Sequence, residues 1–354
     1  MVAEAAKVTK VPLSIRFFGN DMVLYRGDSG RVVMLNAYCP HMGTHLGRNT
    51  TSFVVRDGCH VEGDSIRCPY HAWRFGPDGI CNEIPYFETI PLTAKVRSWQ
   101  VVEAQGAIYV WHDPEGLGPE YDPPAIPEWD DPTWVRWKIT DLGTMKTHSV
   151  EFLDNMADFA HLGPIHGHPS IRFENEIRGH MVWQRNSVYP KNASPDVPFM
   201  TTNTHYVGPG LLTSRSKDTK GGGMIERIAH TPEDDGVSHI WHAIMIKSPH
   251  GVPTSEEAEQ LSSMAESFKA GFVQDFEIWQ NKEPCLQPKQ LPTDGNFLKV
   301  RQWYRQFYFP RAKAAGLLAG VEGIYTVRGA PGLPLNSAHL DGLRDPDTVK
   351  YCPS

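Results

Sequence analysis

Between residue 11 and about residue 110 the apolar positions fall in short runs, at 14–18, 22–25, 32–35 and 107–111, rich in Val, Ile, Tyr and Phe. Turn residues divide them, among them Gly27-Asp-Ser-Gly30 and Gly76-Pro-Asp-Gly79. The pattern predicts a small antiparallel β domain. Residues 112–124, dense in Pro and Gly, read as an exit linker, which sets a domain boundary near residue 118 and divides the chain into 1–118 and 119–354. Beyond it the period changes. Val150, Leu153, Met156, Ala157 and Ala160 recur at helical spacing, predicting a helix over 149–160. Strand patterns follow at 180–184, 201–207 and 239–246. A long helix is expected over 254–281, opened by Thr254-Ser-Glu-Glu257 with acids in its first turn. The second domain is therefore α+β.

Composition narrows the class. The chain has 354 residues, 40% hydrophobic and 21% charged, as soluble globular proteins do, and fits two or three domains. No apolar run nears the roughly 18 residues of a membrane helix, and residues 1–7 lack the long apolar core of a secretory signal. A cytoplasmic protein is expected. A net charge of −7 without a Lys/Arg-rich run argues against a nucleic-acid partner. Of six cysteines, Cys59, Cys81, Cys285 and Cys352 are scattered and read as free thiols in a reducing compartment.

The other two cysteines carry chemistry. Cys39-Pro-His41 and Cys68-Pro-Tyr-His71 spell C-x-H and C-x-x-H, each in a loop between strand-like segments. Two thiolates and two imidazoles can hold a 2Fe–2S cluster with both Cys on one iron and both His on the other, which raises the reduction potential above that of an all-Cys cluster. A structural zinc site uses the same donors, but usually pairs C-x2-4-C with H-x3-5-H. Here each loop supplies one Cys and one His, which suits a binuclear cluster better. Gly43 and Gly47 are expected to let backbone amides approach the sulfides. Residues 48–57 are read as an inserted hairpin between the loops. Cys59 and His60 are adjacent, lack ligand spacing, and are read as structural. No G-x-G-x-x-G fingerprint for flavin or nicotinamide is present, so electrons must come from a partner.

The blocks Cys39-Pro-His-Met-Gly-Thr-His-Leu-Gly47 and Cys68-Pro-Tyr-His-Ala-Trp73 resemble the Rieske family. Farther on, Asn155, Asp158, His161 and His166 make N-x-x-D-x-x-H-x4-H. At threefold spacing the first three share roughly one helix face, with His166 turned back after Gly163-Pro164. Two imidazoles and a carboxylate form the facial triad of non-haem Fe(II) oxygenases, and this spacing resembles the mononuclear iron site of Rieske oxygenases. The resemblance implies His161 and His166 as iron ligands and Asp275 as the third, with Glu277 the competing acid. An isolated acid on a long helix would otherwise read as a solvated face. The resemblance also gives Asp158 a catalytic part, joining His161 to His71 of a neighbouring subunit, with Asn155 beside it and a homotrimer as the working unit. His148, His168 and His180 lack partner spacing and are left unassigned.

The blocks 154–161, 271–279 and 300–308 resemble the oxygenase components of 3-ketosteroid 9α-hydroxylases, over about residues 11–310. That likeness implies a Rieske domain followed by a helix-grip, START-like catalytic domain with an antiparallel sheet. It further implies a 2Fe–2S cluster held by Cys39, His41, Cys68 and His71, a mononuclear Fe(II), and hydroxylation of a steroid or similar polycycle with O2. Electrons would come from a ferredoxin-type reductase, or a reductase plus ferredoxin. An aromatic acid, methoxyarene or quaternary amine is the alternative substrate class. A Rieske electron carrier is the alternative of another kind, although such a carrier needs only the first domain. The walls of the substrate cavity are sought in 183–241. The tail after residue 310 has no match in the resemblance.

Overall fold

A computed structural model describes residues 1–56, 60–168, 170–188, 200–218 and 222–327, and the backbone of Lys350–Tyr351. The chain forms two compact units, one built on Met1–Pro123 with Thr231–Asp235, the other on Pro124–His230 with Gly236–Tyr351.

In the first unit the short apolar runs become antiparallel strands. Leu13–Phe17, Asn20–Arg26, Val32–Asn36 and Ser98–Trp99 form one four-stranded sheet. Phe17 pairs with Asn20 across Phe18 and Gly19, both at positive φ, the turn that matches strand twist. Val61–Glu62, Ser65–Arg67, Arg74–Phe75 and Cys81–Glu83 form a second sheet. Val23, Leu35, Leu46, Ile66 and Phe75 fill the core between them, and Cys39 and Cys68 are buried in the same cluster. The expected hairpin at 48–57 is not formed. Residues 48–56 are a run of bends and turns in which Asn49 and Ser52 side chains accept backbone N–H groups. The hairpin lies later, at 61–67, where Gly63 at φ 61° makes the turn. His60 is buried, and Cys59 lies outside the described residues.

The second unit is a nine-stranded antiparallel sheet with helices on it. Strands Ser170–Arg178, Met181–Val188, Met200–Val207, Leu211–Asp218, Gly223–Asp234 and Val237–Lys247 follow one another as a meander. Trp134–Val135 and Thr140–Met145 pair with the last, and Gly323–Thr326 with the first. The helices are α1 (Val150–Ala157), α2 (Ser255–Gln280), α3 (Phe297–Tyr304) and α4 (Arg311–Leu318). Thr254 caps α2 by accepting the Glu257 N–H, as its opening residues predict. Leu153, Met156 and Ala157 of α1 pack with Val182 and Tyr206 of the sheet and Trp303 of α3.

The helix predicted over 149–160 stops at Ala157. Asp158 is extended, and its carboxylate accepts the Ala160 N–H, a local bond that competes with the helix. The Met156 carbonyl is taken by Asn175 Nδ2 (2.9 Å) and Gln184 Nε2 (3.1 Å) from the sheet. Gly295 lies so close that a Cβ there would sit 1.4 Å from the Ala157 carbonyl oxygen. These tertiary contacts satisfy the helix end and close off another turn. Asn155, Asp158 and His161 therefore do not share one helix face.

Beneath α1, His230 is fully enclosed. Tyr206 Oη lies 2.7 Å from its Nε2, Ser149 Oγ 3.2 Å from its Nδ1, and the ring stacks on Phe152 at 4.1 Å. Burial brings its pKa down to about 3, and burial pushes His205 well down too, helped by Arg215 and Arg227. Both are neutral when folded and gain a proton when the chain unfolds below about pH 6.5. Stability is therefore full above that pH and falls as pH drops toward the folded values. His230 alone is expected to cost about 2 kcal/mol at pH 5 relative to pH 7. Urea unfolding of the second unit at the two pH values measures it, and equal stabilities would contradict the assignment.

Candidate metal centres

The two cluster loops are built alike. Cys39 N–H donates to the Thr44 carbonyl (2.9 Å) and Gly43 N–H to the Cys39 carbonyl (2.9 Å). In the other loop Cys68 N–H donates to Trp73 (2.7 Å) and Ala72 N–H to Cys68 (3.1 Å). The fourth residue after each cysteine is left-handed, Gly43 at φ 73° and Ala72 at φ 59°. An alanine in that region costs about 1–2 kcal/mol, offset here by the surrounding loop. Gly43 thus serves the turn. Gly47 serves close packing, since a Cβ there would sit 3.0 Å from Val23. The Gly43 N–H is spent on Cys39, and the Gly47 N–H donates to His45 Nδ1 at 3.1 Å.

Both thiols are buried and hydrogen-bonded to each other, which brings Cys68 down to about 6 and pushes Cys39 up. The imidazoles lie outward of them, His41 exposed and His71 half-buried, with ring centroids 4.6 Å apart. Trp73 stacks flat on His41 at 4.6 Å and Tyr70 lies 3.8 Å from His71. Thiols therefore pair inside and imidazoles pair outside, as a binuclear cluster requires. Among the described residues these donors form no group tight enough for a single ion, as a structural zinc site demands.

One such group does occur. His161, His166 and Asp275 each offer a ligand atom, and these atoms lie within 4.8 Å of one another. His161 sits in a 3-10 turn at Ala160–Leu162 after α1, His166 in the turns that follow, and Asp275 on the inner face of α2 at 5% exposure. Glu277, two residues on, lies on the exposed side. Each imidazole has its Nδ1 occupied. His161 Nδ1 donates to the Asp158 carbonyl (2.9 Å), and His166 Nδ1 donates to Gln274 Oε1 (3.0 Å). Both Nε2 lone pairs are thereby free for a metal, and His166 Nε2 lies 3.6 Å from Asp275 Oδ1. Burial pushes the Asp275 carboxyl up, opposed by the two histidines and by a hydrogen bond from Asn155. Burial also pushes His161 down. Neutral imidazoles and a carboxylate on one side of a shared space form a donor set suited to a ferrous ion with open positions.

Asp158 lies at the mouth of this group, its carboxylate 38% exposed and one oxygen 3.6 Å from His161 Nδ1. Of the unassigned histidines, His148 meets Tyr308 Oη at 3.2 Å and His168 meets the His166 carbonyl at 2.7 Å. Burial brings His180 down to about 4. Two ion pairs hold α1 in place, Glu151 with Lys282 and a bidentate Asp154 with Arg301 of α3. Gln274, Gln184, Asn175 and Gly295 were not foreseen. Only Gln274 had a signal in the sequence, as a neighbour of Asp275.

Residues 110–308 match the family described as 3-Ketosteroid 9alpha-hydroxylase C-terminal domain, and residues 1–100 match the Rieske 2Fe–2S domain. A probable 3-ketosteroid-9-alpha-monooxygenase, oxygenase component, of Rhodococcus rhodochrous is 33% identical over 312 residues, 84% of this chain and 75% of that protein. The oxygenase component of 3-ketosteroid-9-alpha-monooxygenase from Mycobacterium tuberculosis is 30% identical over 311 residues, 84% and 77% of the two chains. Among solved structures, Pseudomonas putida CBB5 NdmA with caffeine aligns with a TM-score of 0.66 at 16% identity, covering 91% of each chain. Apo dicamba monooxygenase aligns at 0.65 and 17% identity, covering 89% of this chain and 97% of that one. At such identities these two speak for the fold alone.

Proposed function

We propose that this chain, which belongs to the Rieske non-haem iron monooxygenases of the 3-ketosteroid 9α-hydroxylase oxygenase family, hydroxylates a steroid. The enzyme is O2-dependent, carries a Rieske 2Fe–2S cluster and a mononuclear iron, and takes electrons from a separate reductase. When bound, the cluster passes electrons on and the ferrous ion activates dioxygen to place one oxygen atom on a C–H carbon of the substrate.

In this reading Cys39, Cys68, His41 and His71 hold the cluster, and His161, His166 and Asp275 hold the iron. The Asp158 carbonyl and Gln274 hold a proton on each Nδ1, which leaves Nε2 as the atom each imidazole would offer the metal. Asn155 donates to the Asp275 carboxylate and limits its rotation. The aromatic layer of Phe152, Phe272, Phe276 and Trp279 under α2 keeps bulk water from that side of the site.

In the same reading Asp158 joins the two centres: its backbone carbonyl holds His161 Nδ1, and its half-exposed carboxylate would accept from His71 of the partner subunit. That link implies a ring of like chains, a homotrimer. The unbridged Cys81 and Cys285 fit a reducing cytoplasm, and no helix among the described residues is long and apolar enough to cross a membrane.

The observation that carries the reading is the grouping of His161, His166 and Asp275 within 4.8 Å on a chain whose two parts match the family. Reductase-fed turnover with 3-ketosteroids, methoxybenzoates and quaternary amines tests it. A hydroxylated steroid should be the main product, and faster demethylation of a methoxyarene would overturn it.

A further inference from the structure

The break at the end of α1 exchanges hydrogen-bond partners. Had the helix run on, the Met156 carbonyl would accept the Ala160 N–H and the Asp158 carbonyl the Leu162 N–H, each from four residues ahead. Instead the Ala160 N–H goes to the Asp158 carboxylate at 2.8 Å, and the Asp158 carbonyl is left for His161 Nδ1 at 2.9 Å. An iron ligand is thus oriented by a backbone group that only an interrupted helix sets free.

What replaces the helical bond at Met156 comes from the sheet. Asn175 and Gln184 face each other across the first two strands of the meander. Both donate to the Met156 carbonyl, Asn175 Nδ2 at 2.9 Å and Gln184 Nε2 at 3.1 Å. Asn175 Nδ2 also donates to the Trp183 carbonyl at 3.3 Å. Two carbonyls on the nitrogen side fix which way round the amide sits. Asn175 is 0% exposed, and among the described residues its Oδ1 has no partner. A buried acceptor left unpaired is costly, and an apolar side chain of similar size would avoid that cost. Packing alone does not account for an asparagine here.

The stretch held in this way reaches two of the three iron ligands. Asn155, one residue before Met156, bonds to the Asp275 carboxylate, and Asp158, two residues after it, holds His161. Between them Gly295 closes on the Ala157 carbonyl.

We propose that Asn175 and Gln184 are positioning residues for the iron. By taking the Met156 carbonyl they keep α1 from recapturing Ala160, and so keep the Asp158 carbonyl on His161 and Asn155 on Asp275. The proposal rests on the iron reading above. Each amide acts through the backbone of α1 and not on a ligand directly.

The test sets iron affinity against stability in cluster-loaded protein freed of its mononuclear iron. Ferrous ion is titrated without oxygen in competition with a chromophoric chelator. Urea unfolding of the same iron-free protein gives stability without a contribution from bound metal. Val182→Ala is the calibrant, because Val182 packs in the core with Met156 and Ala157 but has no polar side-chain atom. It fixes how much affinity goes with a given loss of stability. Asn175→Leu and Gln184→Met should each weaken ferrous binding by about 10- to 100-fold, the usual effect of losing a group that orients a metal ligand. That is to exceed what the calibrant gives for the same stability. Asn175→Leu also removes the unpaired Oδ1, so little stability should go with it. Affinity unchanged, or lost only in the Val182→Ala proportion, overturns the role of the residue concerned. If His161→Ala binds ferrous ion as the unaltered protein does, the iron site itself is overturned, and with it the reading on which this one rests.

Discussion

His161→Ala is expected to abolish hydroxylation while leaving the colour of the iron–sulfur cluster intact. His161 offers one of the three ligand atoms that converge within 4.8 Å, and no other described group of His, Cys, Asp or Glu could replace it. Losing a partner that merely orients a ligand typically costs 10–100-fold in metal affinity or activity, so losing the ligand itself should cost more than about a hundredfold. His161 is not among the residues of the hydrophobic core beside it, which Leu153, Met156 and Trp303 fill, so the fold should persist. Reductase-fed product formation, with iron content and the visible spectrum, reads the result. Retained turnover would remove this triad from the mechanism.

His71→Ala should do the opposite. The first unit loses an outer ligand of the cluster, the protein bleaches, and the mononuclear iron remains. Here the two variants can be made to answer a further question. If Asp158 links His161 to His71 of the partner subunit, each catalytic site draws electrons from another chain's cluster. Co-expressing the two inactive variants should then restore part of the activity, because some interfaces pair an intact cluster with an intact iron site. Within a single chain no such rescue is possible. A mixture as inactive as its components would remove the ring and the Asp158 bridge with it.

The cluster loops were legible because all their information is local. Ligands, turn residues and the stacking Trp73 lie in two runs of a few residues, each closed by its own backbone hydrogen bonds. The long helix was legible too, from the Thr254 cap and the acids of its first turn. Asp275 was a different matter. Periodicity alone could not tell it from a surface acid, and only the resemblance singled it out. What remained hidden is tertiary. The end of α1 is set by Asn175, Gln184 and Gly295, which arrive from distant elements and take over carbonyls that a further helical turn would have used. The hairpin was misplaced because the polar run before it folds on its own Asn and Ser side chains.

The central claim is that this chain inserts one atom of dioxygen into a steroid at an iron held in its second domain. The most direct measurement is a single turnover. Holoenzyme is reduced without oxygen, freed of reductant, and mixed with a 3-ketosteroid and isotopically labelled dioxygen, with no reductase present. The account predicts a hydroxylated steroid carrying a single labelled oxygen in unaltered protein, and none in His161→Ala. Reoxidation of the cluster without labelled product, for every steroid offered, would contradict it.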